Sequence, residues 1–287
     1  MALSSRIKNA LNLALNPVGL HLNTTLEEDR ERRRLQQMAE RGHFEGPAYP
    51  LLECMCAFDP HPLSSAYQHY CNDLARLMAG GTSPGLYEPD NGYFKTPDAE
   101  VLYLMVRSLA PDRILEVGCG NSTRIIRQAI SDGQLASQHI AIDPMPRVEI
   151  GRFVDKLYQQ EFETSDFENL LSGFGPNDIV FVDSSHQVAA GNDVTTVFTR
   201  LLPMAPAGVV FHVHDVFLPY EYPAEWLADR HRPWAEQTLL HIYLSGHSAD
   251  VLWPGHYAQR GGAFDLSGLP FADKGCAQSF WFRKSTS

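Results

Sequence analysis

The chain has 287 residues and a formal net charge of −11 at neutral pH, with 44% hydrophobic residues. This length suits one large core with an appendage. The acidic balance argues against a nucleic-acid partner, because phosphate binding needs clustered Lys and Arg. Five cysteines without a C-x-x-C pair indicate reduced thiols, which predicts a cytoplasmic protein.

Residues 1–94 are predicted to form a helical N-terminal extension. Residues 1–22 repeat apolar side chains at helical spacing but carry few basic ones, which predicts an amphipathic helix that neither directs secretion nor binds a membrane. Further helices are expected at 25–41 and 64–78. The first helix is expected to dock on the protein's own body or on a second subunit. A homo-oligomer formed through the N-terminal helices is therefore one expectation.

From residue 95 onward, helical and strand patterns alternate, which is typical of parallel βαβ units. The predicted elements are a helix at 97–109, strands at 113–117, 138–142, 178–182 and 208–213, a weaker strand at 155–161, a helix at 234–245, and strands at 249–253 and 277–282. The pattern predicts an α/β protein with a Rossmann-like doubly wound sheet. Residues 95–287 are the expected sheet domain.

The strand at 113–117 runs into a glycine turn formed by Gly118, Cys119 and Gly120. Glycine lacks a Cβ atom, so a ligand can lie against the bare backbone of such a turn. The helix that follows directs its first N–H groups at the same place. A strand, glycine turn and helix in this order form the nucleotide-binding corner of a doubly wound sheet. The dinucleotide fingerprint is incomplete, however, since Thr123 holds the place of its third glycine.

Two acids narrow the choice of nucleotide. Glu116, two residues before the first glycine, would repel a pyrophosphate but can accept from an ammonium group, directly or through water. Asp143, which ends the next strand and precedes Pro144, is placed to accept both hydroxyls of a ribose. An amino-acid head group beside a ribose describes S-adenosylmethionine better than NAD. A glycine turn that merely packs a helix on a strand is the remaining alternative.

At this point the chain resembles a known family. Glu116-Val-Gly-Cys-Gly120 followed by Ile142-Asp143 is similar to the first two motifs of class I S-adenosylmethionine-dependent methyltransferases. The resemblance continues to the end of the chain and covers residues 95–284. It implies a seven-stranded sheet whose last strand is antiparallel. The cofactor-binding residues that it implies are Glu116, Gly118, Cys119, Gly120, Asp143, Pro144 and Asp183.

Two further strands end in polar side chains. Asp183 ends one strand, with His186 three residues later, and His214 and Asp215 end the other. The resemblance makes these strands neighbours, about 4.8 Å apart, so their last side chains converge. Asp183, His214 and Asp215 are then predicted to hold a divalent cation, which lowers the pKa of a substrate hydroxyl. His186 is the predicted catalytic base, with His214 as the next candidate.

The polar residues at the ends of these two strands resemble those of the metal-dependent O-methyltransferases of natural-product tailoring, such as the macrocin and mycinamicin sugar methyltransferases. In those enzymes the Asp after strand four, with a His three residues later, works with an Asp–Asp pair after strand five. Asp183, His186 and Asp215 match this pattern, whereas His214 replaces the first Asp of the pair. Because imidazole suits transition metals better than magnesium, the ion stays open among Mg, Mn, Fe and Zn.

The resemblance thus implies a methyltransferase that acts on a small-molecule acceptor, at an oxygen, in natural-product biosynthesis. Two alternatives stay open. An iron-dependent or hydroxylase-like enzyme on the same fold would use His186, His214 and Asp215 as a two-histidine, one-carboxylate set. A protein that binds S-adenosylmethionine without catalysis would use only the glycine turn and the two acids. A metal-free site, in which the histidines contact the substrate alone, is also compatible with the sequence.

Overall fold

The computed structural model of the chain describes residues 5–20, 26–80, 87–146, 149–229 and 232–285. Its strands are β1 (Arg113–Val117), β2 (Gln138–Ile142), β3 (Lys156–Tyr158), β4 (Ile179–Val182), β5 (Val210–Val213), β6 (Ala249–Pro254) and β7 (Phe280–Lys284). They form one sheet in the order β3-β2-β1-β4-β5-β7-β6. Strands β1 to β5 are parallel, and β7 lies antiparallel between β5 and β6. The predicted Rossmann-like sheet, including its antiparallel last strand, is confirmed.

Helices cover both faces of this sheet. The α-helices of the described residues are α1 (Ser5–Leu15), α2 (Leu26–Glu40), α3 (Glu53–Cys56), α4 (His61–Met78), α5 (Asp98–Leu109), α6 (Asn121–Gly133), α7 (Phe167–Leu170), α8 (Asp193–Thr196), α9 (Leu202–Met204), α10 (Glu236–Gly246) and α11 (Gly255–Gly261), and those from α3 onward belong to the compact unit that contains the sheet. The central strands β1, β4 and β5 consist mainly of apolar residues because both of their faces are buried, as parallel sheets require. All four residues of β4 are buried, for example. Among the described residues, no helix combines the length and apolar character that crossing a membrane requires.

Two clusters of apolar side chains form the core, one on each face of the sheet. The first joins Ile114 and Phe181 to residues of α4, α5 and α6. The second joins Leu115 and Val180 to the helices of the opposite face, among them α10. Adjacent residues of one strand therefore serve opposite clusters, as the alternation of side chains along a strand dictates.

Strand boundaries differ from the prediction where side chains or backbone conformation intervene. The strand expected from residue 277 begins at Phe280, because the N–H groups of Gln278 and Ser279 donate to the buried carboxylate of Asp98. The strand expected from residue 208 begins at Val210, because Gly208 has a φ of +87°. The weak strand at 155–161 is confirmed as the three residues of β3.

The chain divides into two compact units, and the division differs from the predicted one at residue 94. One unit is Met1–Ala48 with Glu221–Arg232, and the other is Tyr49–Tyr220 with Pro233–Ser287. Residues 49–94 belong with the sheet because α4 contributes buried leucines to the same cluster as α5. The expected docking of the first helix stays a prediction, and its residues 1–4 and 21–22 lie outside the described residues.

Candidate active site

Four neighbouring strands deliver their last residues to one edge of the sheet. β1, β2, β4 and β5 are parallel, so the segments that follow them lie side by side, where open α/β sheets place their ligands. This edge holds the glycine turn after β1, Asp143 after β2, Asp183 after β4, and His214 and Asp215 after β5. The candidate residues of the sequence analysis are therefore close together.

The two glycines of the turn do different things. Gly118 has a φ of +83°, and a Cβ atom there would lie 1.8 Å from the carbonyl oxygen of Asp183. This glycine is required because the end of β4 passes close to the turn. Gly120 has an extended φ of 177°, and a Cβ atom there would meet nothing within 4 Å. The open side of the turn, where a ligand can approach the backbone, is therefore at Gly120.

Asp143 links the second strand to the glycine turn. Its Oδ2 atom accepts from the backbone N–H of Cys119 at 2.9 Å, and Oδ1 accepts from that of Met145 at 2.8 Å. The side chain is half-buried and Pro144 beside it is exposed, so the carboxylate keeps a side toward solvent. Burial raises the pKa of the Cys119 thiol, and nearby carboxylates raise it further. A raised pKa disfavours the reactive thiolate form, and the contact that Cys119 makes in the site is through its backbone N–H, which donates to Asp143.

Glu116 lies beneath the turn with no exposed side-chain surface. Its Oε1 atom accepts from the hydroxyls of Ser122 at 2.6 Å and Thr123 at 3.0 Å, and Oε2 lies 2.9 Å from Nε2 of His139. The carboxylate thereby ties β1 to the start of α6 and to β2. A ligand reaches it only if the turn rearranges, so the predicted contact with an ammonium group stays a prediction. Sequence reasoning missed His139, which reads as an ordinary strand residue.

In the segments that follow β4 and β5, three side chains lie together. Asp183, His186 and Asp215 each offer one ligand atom, and these atoms all lie within 4.8 Å of one another. Nε2 of His186 lies 3.4 Å from Oδ1 of Asp183 and 3.4 Å from Oδ2 of Asp215. His186 and Asp215 both have positive φ values, +59° and +54°. Such values are uncommon outside glycine and tend to cluster at functional sites.

A fourth residue, Glu236 at the start of α10, completes this group. Its Oε2 atom lies 2.9 Å from Nδ1 of His186, and its side chain is 1% exposed. The ring of Trp234 packs on the same imidazole, with ring centroids 4.4 Å apart. Sequence reasoning missed Glu236, because an acid in the first turn of a helix usually needs no explanation beyond the helix dipole. Only the fold brings it to a histidine 50 positions earlier in the chain.

The carboxylates set the charge state of the imidazole. Burial lowers the pKa of His186, but hydrogen bonds to Asp183 and Glu236, together with the charge of Asp215, outweigh burial and raise that pKa well above the ordinary value. Burial also raises the pKa of Asp183, and there His214 and His186 outweigh it, so this carboxyl stays ionised. A general base at neutral pH is served best by an imidazole near its ordinary pKa of about 6.5. The arrangement gives an imidazole that holds its proton more tightly than that.

The other two histidines of this edge lie on β5 and just beyond it. His212 is fully buried, stacks on Phe181 and contacts the Ser279 hydroxyl through Nε2 at 3.1 Å, and burial holds its pKa well below the usual value. It is a core residue. His214 stacks on Phe94 and lies 3.9 Å from Asp215 through Nε2. His214 thus lies next to the group formed by Asp183, His186 and Asp215. In that group His186 takes the position that the sequence analysis assigned to His214.

The donor set fits a divalent cation. Two carboxylates and one imidazole nitrogen converge on one point, and a third carboxylate supports the imidazole. Asp193 accepts from the backbone and side chain of Ser185 and so holds the loop between the first two ligands. One imidazole and two carboxylates reverse the ratio of the two-histidine, one-carboxylate set of iron oxygenases. Among the described residues, the group whose ligand atoms converge contains one histidine, whereas the hydroxylase-like alternative needs His214 as a second one.

Comparison with known proteins gives a family match within the sheet domain. A family model described as a methyltransferase domain matches residues 115–216, from the middle of β1 to just after Asp215. Residues 115–216 are thus similar to a methyltransferase domain. The prediction of a class I S-adenosylmethionine-dependent methyltransferase is confirmed at the level of this domain and of the sheet topology. The matched segment includes the glycine turn and the cation-binding candidates. No curated protein shows a significant match to this chain.

Several solved structures are similar to this chain. The O-methyltransferase TomG from Streptomyces achromogenes is 20% identical, with a TM-score of 0.39 over 79% of this chain and 91% of its own. The methyltransferase PaMTH1 from Podospora anserina is 15% identical, with a TM-score of 0.41 over 84% and 100%. MycE, a methyltransferase of mycinamycin biosynthesis, is 19% identical, with a TM-score of 0.41 over 74% and 54%.

Proposed function

We propose that the protein transfers a methyl group from S-adenosylmethionine to a hydroxyl oxygen of a small-molecule acceptor, assisted by a divalent cation and a histidine. The observation that carries this proposal is the pair of carboxylates, Asp183 and Asp215, at the ends of adjacent strands beside the glycine turn of a methyltransferase domain. The turn and the carboxylates share one edge of the sheet. A donor and an acceptor bound there would be neighbours.

The donor side is built from backbone and one carboxylate. Gly120 leaves space against the turn, and the first N–H groups of α6 face that space. Asp143 holds the Cys119 backbone and presents its outer side for the ribose hydroxyls. The reaction needs little more from these residues than alignment, because the sulfonium of the donor is already activated.

The acceptor side supplies charge and orientation. Asp183 and Asp215 would hold the cation, which when bound supplies a Lewis acid that lowers the pKa of a coordinated hydroxyl. An amine acceptor needs no such help, so the cation-binding group favours an oxygen acceptor. His186 and His214 are the candidate imidazoles for the acceptor proton. Because the carboxylates raise the pKa of His186, His214 is the better placed of the two to take the proton up, and Trp234 offers an aromatic wall beside His186.

Methyl transfer from labelled S-adenosylmethionine to a panel of hydroxylated natural products tests the proposal. We expect turnover that EDTA reduces at least about a hundredfold, since a catalytic metal contributes several kcal/mol, and that Mn²⁺ or Mg²⁺ restores. Asp183→Asn and Asp215→Asn should lose activity, whereas Asp250→Asn, at an exposed position of β6, should retain it. Full turnover after exhaustive chelation would refute the cation. Donor binding without transfer to any acceptor would indicate the non-catalytic alternative.

A further inference from the structure

We propose that His186 is a ligand of the cation and that Glu236 is the positioning residue that holds its imidazole ring for that role. The inference rests on the proposed cation site at Asp183 and Asp215. It assigns His186 a different task from proton transfer, and it gives the buried carboxylate of Glu236 a function.

The orientation of the ring is the first argument. With Nδ1 donating to Oε2 of Glu236 at 2.9 Å, Nε2 is the nitrogen left to face Asp183 and Asp215. Both separations are 3.4 Å. Two ligand atoms at about 2.0–2.2 Å from one tetrahedral ion lie roughly 3.3–3.6 Å apart. An ion bound to Nε2 therefore needs little movement of either carboxylate relative to the imidazole.

Charge is the second argument. Asp183, Asp215 and Glu236 bring three carboxylates to a single imidazole. The side chains of Asp215 and Glu236 are buried, and that of Asp183 is partly buried. Buried like charges are costly unless an opposite charge balances them. A divalent cation on the Nε2 side supplies that charge. A carboxylate on the far nitrogen of a metal-bound histidine fixes the tautomer and the ring orientation, and it raises the basicity of the ligand.

Rigidity is the third argument. The backbone of Ala235 donates to the carbonyl of His186 at 3.0 Å, and Gln187 and Trp234 form an antiparallel bridge beside it. The Trp234 ring covers the imidazole. The start of α10 therefore clamps the loop after β4, so that the ring is held before any ligand arrives. The positive φ of His186 is kept by the same contacts.

The donor set predicts which ion binds. One imidazole with two carboxylates suits Mn²⁺, Fe²⁺, Co²⁺ or Zn²⁺ better than Mg²⁺, which prefers oxygen ligands alone. With His186 committed to the ion, His214 is the imidazole that remains at this edge for the proton of the acceptor. It lies beside the group, 3.9 Å from Asp215.

Calorimetric titration of the full chain with Co²⁺ and with Mg²⁺, without donor or acceptor, tests the assignment. Wild-type protein should bind Co²⁺ more tightly than Mg²⁺. Glu236→Gln should weaken Co²⁺ binding about 10- to 100-fold, the usual effect of losing such a supporting carboxylate, and His186→Ala should weaken it at least as much. His61→Ala and Glu168→Gln, both exposed, are the matched controls and should bind like wild type. Affinity for S-adenosylmethionine should stay unchanged in every variant.

Pulsed EPR on Mn²⁺-loaded protein gives a second readout. Its wild-type measurement does not depend on whether any variant folds. Wild type and His214→Ala should both show coupling to a ligand nitrogen, because His186 is intact in each. Loss of that coupling in His214→Ala, or unchanged Co²⁺ affinity in folded His186→Ala, would overturn the assignment. Co²⁺ binding that is intact in Glu236→Gln would refute the positioning role. Protein that binds Co²⁺ as expected but methylates nothing would defeat the proposed function and leave this inference standing.

Discussion

Replacing the two glycines of the turn one at a time separates folding from ligand binding. In Gly118→Ala the new methyl group would lie 1.8 Å from the Asp183 carbonyl oxygen, 2.8 Å from its carbonyl carbon and 3.4 Å from Cα of Ser184. All three are backbone atoms, so no side chain can swing aside. The φ of +83° adds about 1–3 kcal/mol of backbone strain, and the overlap adds about 1–3 kcal/mol more. We expect a loss of about 2–6 kcal/mol in the free energy of unfolding.

In Gly120→Ala the extended φ suits any residue and the methyl group meets nothing within 4 Å. Stability should stay near wild type, but the methyl group would occupy space assigned to the donor. Affinity for S-adenosylmethionine should fall at least tenfold, which corresponds to about 1.4 kcal/mol.

Thermal unfolding and calorimetric titration measure the two effects separately. Gly118→Ala should lower the Tm by roughly 5–20 °C. Gly120→Ala and the control Gly151→Ala, where the chain is exposed and a methyl group also meets nothing, should leave the Tm unchanged. Donor affinity should be unchanged only in the control. A stable Gly118→Ala protein, or full donor affinity in Gly120→Ala, would show that the two glycines have been assigned wrongly.

Two further predictions concern the acids of the donor side. Asp143→Ala should weaken S-adenosylmethionine binding by about 1.5–3 kcal/mol, the usual contribution of hydrogen bonds to a charged group. The control Asp250→Ala should bind like wild type. Equal calorimetric affinities in the two variants would contradict the ribose assignment. His139→Leu leaves a buried oxygen of Glu116 without its partner. Chemical denaturation should therefore show a free energy of unfolding lower by about 1–3 kcal/mol or more. Wild-type stability in this variant would show that the pair is dispensable.

The sequence by itself determined the parts of this protein that depend on neighbouring residues. Apolar runs and the glycines between them predicted β1 and β2 to the residue, and the order of helices and strands predicted the parallel sheet. The acid at the end of β2 follows from the same local pattern. These features could be predicted because strand and turn propensities act over a few residues, and because parallel strands place their ends at one edge.

Only the tertiary structure decided how the side chains at that edge combine. Gly118 is constrained by Asp183, 65 positions away, and His186 is oriented by Glu236, 50 positions away. No local signal marks either pair, because each depends on how closely two separately formed elements pack. The choice between His186 and His214 as the partner of the aspartates depends on small differences in distance. Nε2 of His186 lies 3.4 Å from the Asp215 carboxylate, and Nε2 of His214 lies 3.9 Å from it. Differences of that size are set by the packing of the whole core and have no counterpart in residue spacing.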